Sequence, residues 1–132
     1  MQHQTLFFLG AIENSLDIKI EMKWDEAQEY LDHVERYNNF TGQLAKDILQ
    51  AADKILPKHQ YTGARDFDIL IGREGSMVMY LRRRSMHKEA LPQSDIDMLT
   101  KYAQDHGLAD EADYEVTERG MILEETFRFW WD

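Results

Sequence analysis

The last eight residues of the chain, ETFRFWWD, most constrain how it can fold. Four of them are aromatic, although the chain carries a formal net charge of -10. Side chains alternate between the two faces of a β-strand, so one face here would carry four large apolar side chains: Leu123, Phe127, Phe129 and Trp131. Burying three or four of them is worth roughly 5–12 kcal/mol, which is comparable to the net stability of a whole domain. We therefore predict a core strand, with Glu125 as the single charge on its apolar face.

The opposite face of this strand carries the polar residues Thr126 and Arg128 together with Trp130. An arginine can stack on an indole ring, so Arg128 is expected to lie against Trp130. We interpret Trp130 as an exposed residue that is available to a partner.

Strand-like segments recur along the chain in pairs, each pair separated by a turn signal. The first pair is Thr5–Ile12 and Leu16–Lys23, and the second runs from about Asp66 to Arg83 around the turn REG. The third pair is DYEVTE and MILEETFRFWW around Arg119-Gly120. With the intervening helices, the order ββ-αα-ββ-α-ββ predicts an α+β domain with a mostly antiparallel sheet of about six strands in three hairpins and helices packed on one face. A length of 132 residues fits a single domain, 1–132.

Apolar residues at helical spacing predict three helices. The first two follow the first hairpin and are separated by a break at Asn38–Thr41, although one long kinked helix is an alternative. The third is SDIDMLTKYAQDHGL, for which Ser94 is the predicted N-cap in a capping box with Asp97. Gly107 is expected just past its end.

The negative charge is concentrated in the last third of the chain. Residues 1–88 contain 12 Lys and Arg against 13 Asp and Glu, whereas residues 89–132 contain 3 against 12. Direct nucleic-acid binding is disfavoured, because it depends on basic residues that neutralise phosphates. The chain has no cysteine, and its first apolar run, Leu6–Ile12, is too short to span a bilayer. We expect a cytoplasmic protein that does not bind a membrane.

Two short segments, GARDFDILI and SDIDML, resemble the Asp-x-Asp strand of the nucleotidyltransferase superfamily. The resemblance implies that a pair of carboxylates holds Mg²⁺ against a nucleoside triphosphate, with Asp66 and Asp68 as the pair in this chain. The family also has a Gly-Ser pair about ten residues upstream, which opens a phosphate-binding helix. The corresponding stretch here, AADKILPKHQ, has no such pair. Asp95 and Asp97 lie in the predicted third helix, where residues two apart point in different directions.

No other pattern in the sequence indicates catalysis. The five histidines match no metal-ligand spacing, and Glu29 with His33 is interpreted as a solvated pair on a helix. No serine lies in a Gly-x-Ser-x-Gly elbow. We therefore expect no catalytic residue, no metal site and no cofactor.

The acidic last third points instead to a protein partner. Like charges crowded on one surface cost stability, and a surface that retains them can dock onto a basic groove and steer association. We therefore predict a non-enzymatic inhibitor of a basic partner, a nuclease or another nucleic-acid-binding protein. In size, acidity and lack of cysteine the chain is similar to bacterial immunity proteins and to phage anti-restriction or anti-CRISPR proteins. The residues predicted to contact the partner are Asp105, Asp110, Glu111, Asp113, Tyr114, Glu115, Glu118 and Trp130.

Three alternatives remain open from the sequence. The acidic residues could serve only to keep the protein soluble. The chain could be a small Mg²⁺-dependent nucleotide enzyme that uses Asp66 and Asp68. It could also be a small assembly protein whose edge strands form a homodimer.

Overall fold

Five antiparallel strands form one open sheet in the computed structural model, which describes residues 19–59, 61–86 and 89–132. The strands follow the order β1-β2-β3-β5-β4 across the sheet. Their bounds are β1 Lys19–Met22, β2 Asp68–Glu74, β3 Ser76–Met86, β4 Glu111–Arg119 and β5 Ile122–Trp131. Together with three helices they make a single α+β domain, as predicted. The predicted strand Thr5–Ile12 lies outside the described residues.

The second and third predicted hairpins are confirmed, although the turn of the second is shorter than expected and the turn of the third is shifted by one residue. Strands β2 and β3 pair from Asp68 opposite Arg82 to Glu74 opposite Ser76, so Gly75 alone makes the turn. Strands β4 and β5 pair up to Arg119 opposite Ile122, which leaves Gly120-Met121 as a two-residue turn. Gly120 has a φ of 63°, a value at which a residue with a Cβ would be strained.

The helices are α1 Trp24–His33, α2 Gly42–Ile55 and α3 Gln93–Asp105. The predicted break between the first two helices is confirmed. The predicted N-cap of α3 at Ser94 is wrong, because the helix begins at Gln93 and its N-cap is Pro92, two residues earlier. The carbonyl of Pro92 accepts hydrogen bonds from the amides of Asp95 and Ile96, at 3.0 and 3.2 Å. The Asp97 carboxylate accepts from the side chain of Gln93 instead of from an N-cap.

The core lies between the helices and one face of the sheet, which we call the helix side. The C-terminal strand supplies its largest residues, since Phe127, Phe129 and Trp131 are almost completely buried. The prediction that the tail is a core strand is therefore confirmed. The ring of Trp131 meets that of Phe40 edge-on at 5.0 Å between centroids, and its indole N–H donates to the carbonyl of Gly107 at 2.8 Å.

The close approach of α1 and α2 explains why residue 42 is a glycine. A Cβ on Gly42 would lie 1.7 Å from the carbonyl oxygen of Leu31, so any other residue would force the two helices apart. Tight contact at this point brings Ile48 and Leu49 of α2 into the core. Among the described helices, none is long and apolar enough to cross a membrane.

Candidate partner-binding surface around strand β4

The structure divides the predicted partner-binding residues between several surfaces. Four of them lie on the face of the sheet that points away from the described helices, the far face: Glu111, Asp113, Glu115 and Trp130. Tyr114 and Glu118 lie on the helix side of β4, because side chains alternate along a strand. Asp105 ends α3, and Asp110 directly precedes β4. No single flat surface therefore presents all eight side chains.

Tyr114, which the sequence predicts to contact the partner, is directed toward the helix side. Its ring packs against Phe127 with 5.2 Å between centroids. Its hydroxyl donates to the buried carboxylate of Glu125 at 2.5 Å. Burial and this hydrogen bond both raise the pKa of Tyr114, so the phenol stays protonated. Tyr114 is therefore half-buried on the helix side, where it packs against the core.

Trp130 is half-buried on the far face. Its indole N–H donates to the backbone carbonyl of Glu74 at 2.8 Å, which ties β5 to the hairpin between β2 and β3. The predicted stacking with Arg128 is not observed, because that guanidinium turns toward carboxylates. A partner could reach only part of the indole ring.

Arg128 neutralises part of the acidic surface from within the protein. Its Nη1 lies 2.7 Å from Glu111 Oε1 and 3.0 Å from Asp113 Oδ2, while its Nε lies 2.7 Å from Glu74 Oε1. Burial opposes the charged form, but the three carboxylates outweigh it and raise the pKa of Arg128. Glu111 and Asp113 therefore have a structural role, and reversing their charges would break this cluster.

The other predicted carboxylates differ in how far they are compensated. Asp105 forms an exposed ion pair with Lys101 at 3.2 Å, and Asp110 accepts the amide of Asp132 at 2.7 Å. Glu115 and Glu118 are exposed and have no ion-pair or hydrogen-bond partner in the described part of the chain. These two carboxylates are the most available to an outside cation.

Glu74 is the centre of the far-face cluster. Its carboxylate accepts from the Tyr80 hydroxyl and from Arg128, and it pairs with Lys19 at 3.0 Å. Burial alone would raise its pKa, but these three partners outweigh it and lower the pKa of Glu74 to about 2. Burial and the hydrogen bond to the Glu74 carboxylate raise the pKa of Tyr80 to about 12, although the charge of Arg128 opposes this.

This depressed pKa predicts a pH dependence of stability. The folded-state pKa of Glu74 is below its ordinary value of 4.5, so ionised Glu74 stabilises the fold above pH 4.5 and loses this effect as the pH falls toward 2. The shift corresponds to about 3 kcal/mol. In urea unfolding at a series of pH values, Glu74→Gln should show a shallower decline in stability than the wild type over this range. Glu29→Gln, at an exposed position, should follow the wild-type curve. Equal slopes for Glu74→Gln and wild type would contradict the prediction.

The two carboxylates of the nucleotidyltransferase resemblance point in opposite directions. Asp66 lies 3.7 Å from Nε of Arg83, which is on the helix side. Asp68 lies 3.5 Å from Arg82, which is on the far face. The structure therefore does not bring this pair together around one ion. In the described part of the chain no group of three or more His, Asp or Glu side chains could hold a metal.

The most buried charges were not anticipated as a pair from the sequence. Glu125 is only 1% exposed, and its carboxylate accepts from Arg83 and from the backbone amide of Leu91 at 2.7 Å, as well as from Tyr114. Strands β3 and β5 place Arg83 directly opposite Glu125. The sequence contains a sign of each partner, namely the lone charge on an apolar strand face and the basic triplet Arg82–Arg84. Only the pairing register of β3 and β5 shows that these charges meet.

Comparison of the chain with protein-family models, with curated proteins and with solved structures finds no match in any of the three. Function is therefore inferred from the chemistry and the placement of the described residues.

Proposed function

We propose that the protein binds a basic protein partner through the acidic strand β4 and thereby blocks the partner's nucleic-acid-binding groove. The observation that supports this proposal is an imbalance of charge within the sheet. Strand β4 carries four carboxylates and a single cation, Arg119. Two of the carboxylates, Glu115 and Glu118, are exposed without a partner among the described residues.

Each carboxylate on the other described strands forms an ion pair with a lysine or an arginine. Glu21 pairs with Arg82 at 2.9 Å, and Glu124 pairs with Arg84 at 2.6 Å. A protein that needed negative charge only for solubility could distribute it over the whole surface. Here the uncompensated carboxylates of the described sheet, Glu115 and Glu118, lie on β4, one of its two outer strands, where a partner can approach.

The chemistry of this surface favours a basic groove as its target. Complementary charges steer association and select the partner, and basic grooves are typical of proteins that neutralise nucleic-acid phosphates. An acidic strand in such a groove competes with the phosphate backbone. The proposed contact residues are the unpaired Glu115 and Glu118, together with Asp105, Asp110, Glu111, Asp113 and the accessible part of Trp130. No catalytic step, cofactor or metal enters the proposal.

A charge-reversal pair tests it. We expect Glu115→Lys/Glu118→Lys to fold normally, because neither side chain has a structural partner in the described residues. Its affinity for the partner should fall at least about tenfold, because two attractive contacts become repulsive. The partner would be captured from host lysate, identified by mass spectrometry, and titrated with both proteins at two salt concentrations.

The matched control is Glu29→Lys/Glu35→Lys, which makes the same change in net charge at exposed positions outside the sheet. This control should bind as the wild type does. The captured protein should also lose nucleic-acid binding when the wild type is added in a filter-binding assay. Equal capture by all three proteins, or no effect of the wild type on nucleic-acid binding, would contradict the proposed function.

A further inference from the structure

Strand β4 is an outer strand of the described sheet, and no described strand covers its free side. It pairs with β5 over all nine residues, and no other described strand pairs with it. Most of its side chains are exposed, and Val116 is 44% exposed even though it lies on the helix side. An outer strand of this length presents unpaired backbone groups that can accept a further strand.

We propose that β4 binds an extended basic segment of the partner as an additional antiparallel strand. This inference rests on the proposed function and specifies how that surface engages its target. Strand addition gives affinity through backbone hydrogen bonds and specificity through alternate side chains. An antiparallel orientation follows the pairing of all the described strands.

The turn at Gly120-Met121 determines which backbone groups are free. In a two-residue hairpin the residues flanking the turn, here Arg119 and Ile122, form a closely hydrogen-bonded pair, and such pairs alternate along the strands. The amides directed away from β5 therefore belong to the intervening residues of β4: Ala112, Tyr114, Val116 and Glu118. An added strand would bond to these amides.

The carboxylates of β4 determine which kind of segment can bind as the added strand. Glu111, Asp113 and Glu115 lie two residues apart on the far face, so the facing residues of an added strand are also two apart. Basic side chains at those alternate positions would face all three carboxylates, of which Glu115 is unpaired in the described residues while Glu111 and Asp113 share Arg128. A second copy of β4 is a poor occupant, because its own four carboxylates would approach these.

Val116 is an exposed apolar side chain of β4, and it lies on the helix side of the strand. It can bury an apolar residue of the partner segment that lies opposite it. The expected segment therefore has basic residues at three alternate positions, with an apolar residue opposite Val116, next to the basic residue that faces Glu115.

Synthetic nine-residue peptides can test strand addition on the unmodified full chain. The probe has lysine at alternate positions and valine or threonine between them. In the proposed register the amides of the intervening residues face β4, whereas the lysine amides face solvent. Methylation of the intervening amides should weaken binding about tenfold or more, because hydrogen bonds are lost without a change in charge. Methylation of the lysine amides is the matched control and should have little effect. Binding is followed by amide chemical shifts.

A protein variant provides the reciprocal test. Val116→Pro removes one outward amide, and proline is tolerated on the free side of an outer strand. We expect it to bind the unmethylated peptide about tenfold more weakly than Val116→Ala, which keeps the amide.

Three results would overturn strand addition: no binding of the peptide, equal affinity for the two methylated peptides, or a dimer formed through β4 in light scattering. If the partner still requires Glu115 and Glu118 but binds Val116→Pro and Val116→Ala equally, strand addition fails while the proposed function stands. If binding of the partner is independent of Glu115 and Glu118, the proposed function fails as well.

Discussion

Replacement of Trp131 by alanine should destabilise the protein by about 3–5 kcal/mol, which is the usual cost of removing a large aromatic side chain from a core. The side chain is completely buried, its ring meets Phe40, and its N–H donates to Gly107. Domains of this size are stable by only about 5–15 kcal/mol in total. The variant should therefore be largely unfolded in mild denaturant, as measured by urea titration monitored by circular dichroism.

A comparison with the neighbouring tryptophan, Trp130, shows how much of the lost stability is due to burial. Trp130 lies on the far face, is half-buried and makes one hydrogen bond to a backbone carbonyl. Trp130→Ala should cost clearly less than Trp131→Ala in the same titration. A smaller loss at Trp131 than at Trp130 would mean that the assignment of the two faces of β5 is wrong.

This contrast also shows what the sequence could predict. Strict alternation in the tail identified Phe127, Phe129 and Trp131 as core residues, because a period of two leaves no ambiguity about which side chains share a face. Turn glycines and helical periodicity similarly predicted two hairpins and the break between α1 and α2. Such features are local, so neighbouring residues determine them.

The parts that could not be predicted depend on which strands are neighbours. The sequence does not specify that β3 lies beside β5, and only this pairing places Arg83 opposite Glu125. For the same reason Arg128 was expected beside Trp130 and instead contacts carboxylates from β2 and β4. Tyr114 was assigned to the surface because its sequence neighbours are acidic. A strand directs it to the opposite face from those neighbours.

The sequence predicted that acidic residues of its last third lie on a strand, and the structure places four of them on β4. The sequence did not predict which of these carboxylates are paired. Ion pairs between residues distant in sequence determine which of these carboxylates are free. Glu111 and Asp113 are not free, because both pair with Arg128. What remains available is mainly the pair Glu115 and Glu118.

The buried ion pair leads to the second large effect. Glu125→Ala leaves the Arg83 charge almost buried without its closest carboxylate, and it removes the acceptor for the Leu91 amide and the Tyr114 hydroxyl. Breaking a buried pair from one side costs about 3–5 kcal/mol. Asp66, 3.7 Å from Arg83, supplies only a more distant negative charge. We expect a loss in this range from urea unfolding.

The adjacent residue is a matched control for this experiment. Glu124 pairs with Arg84, the neighbour of Arg83, but on the far face, where the arginine side chain is 55% exposed. Glu124→Ala should cost less than about 1 kcal/mol, because exposed pairs contribute little. The two variants make the same chemical change one residue apart, so the difference between them measures the effect of burial.

A double variant separates the charge from the packing. If the loss in Glu125→Ala comes from an uncompensated cation, then Arg83→Met/Glu125→Leu should be more stable than Glu125→Ala, because apolar residues of similar volume often replace a buried ion pair without cost. The Leu91 amide and the Tyr114 hydroxyl would remain without their acceptor, which limits the recovery by about 1–3 kcal/mol each. If the double variant is less stable than Glu125→Ala, the carboxylate acts mainly as the hydrogen-bond acceptor that fixes the segment before α3, and its pairing with Arg83 is secondary.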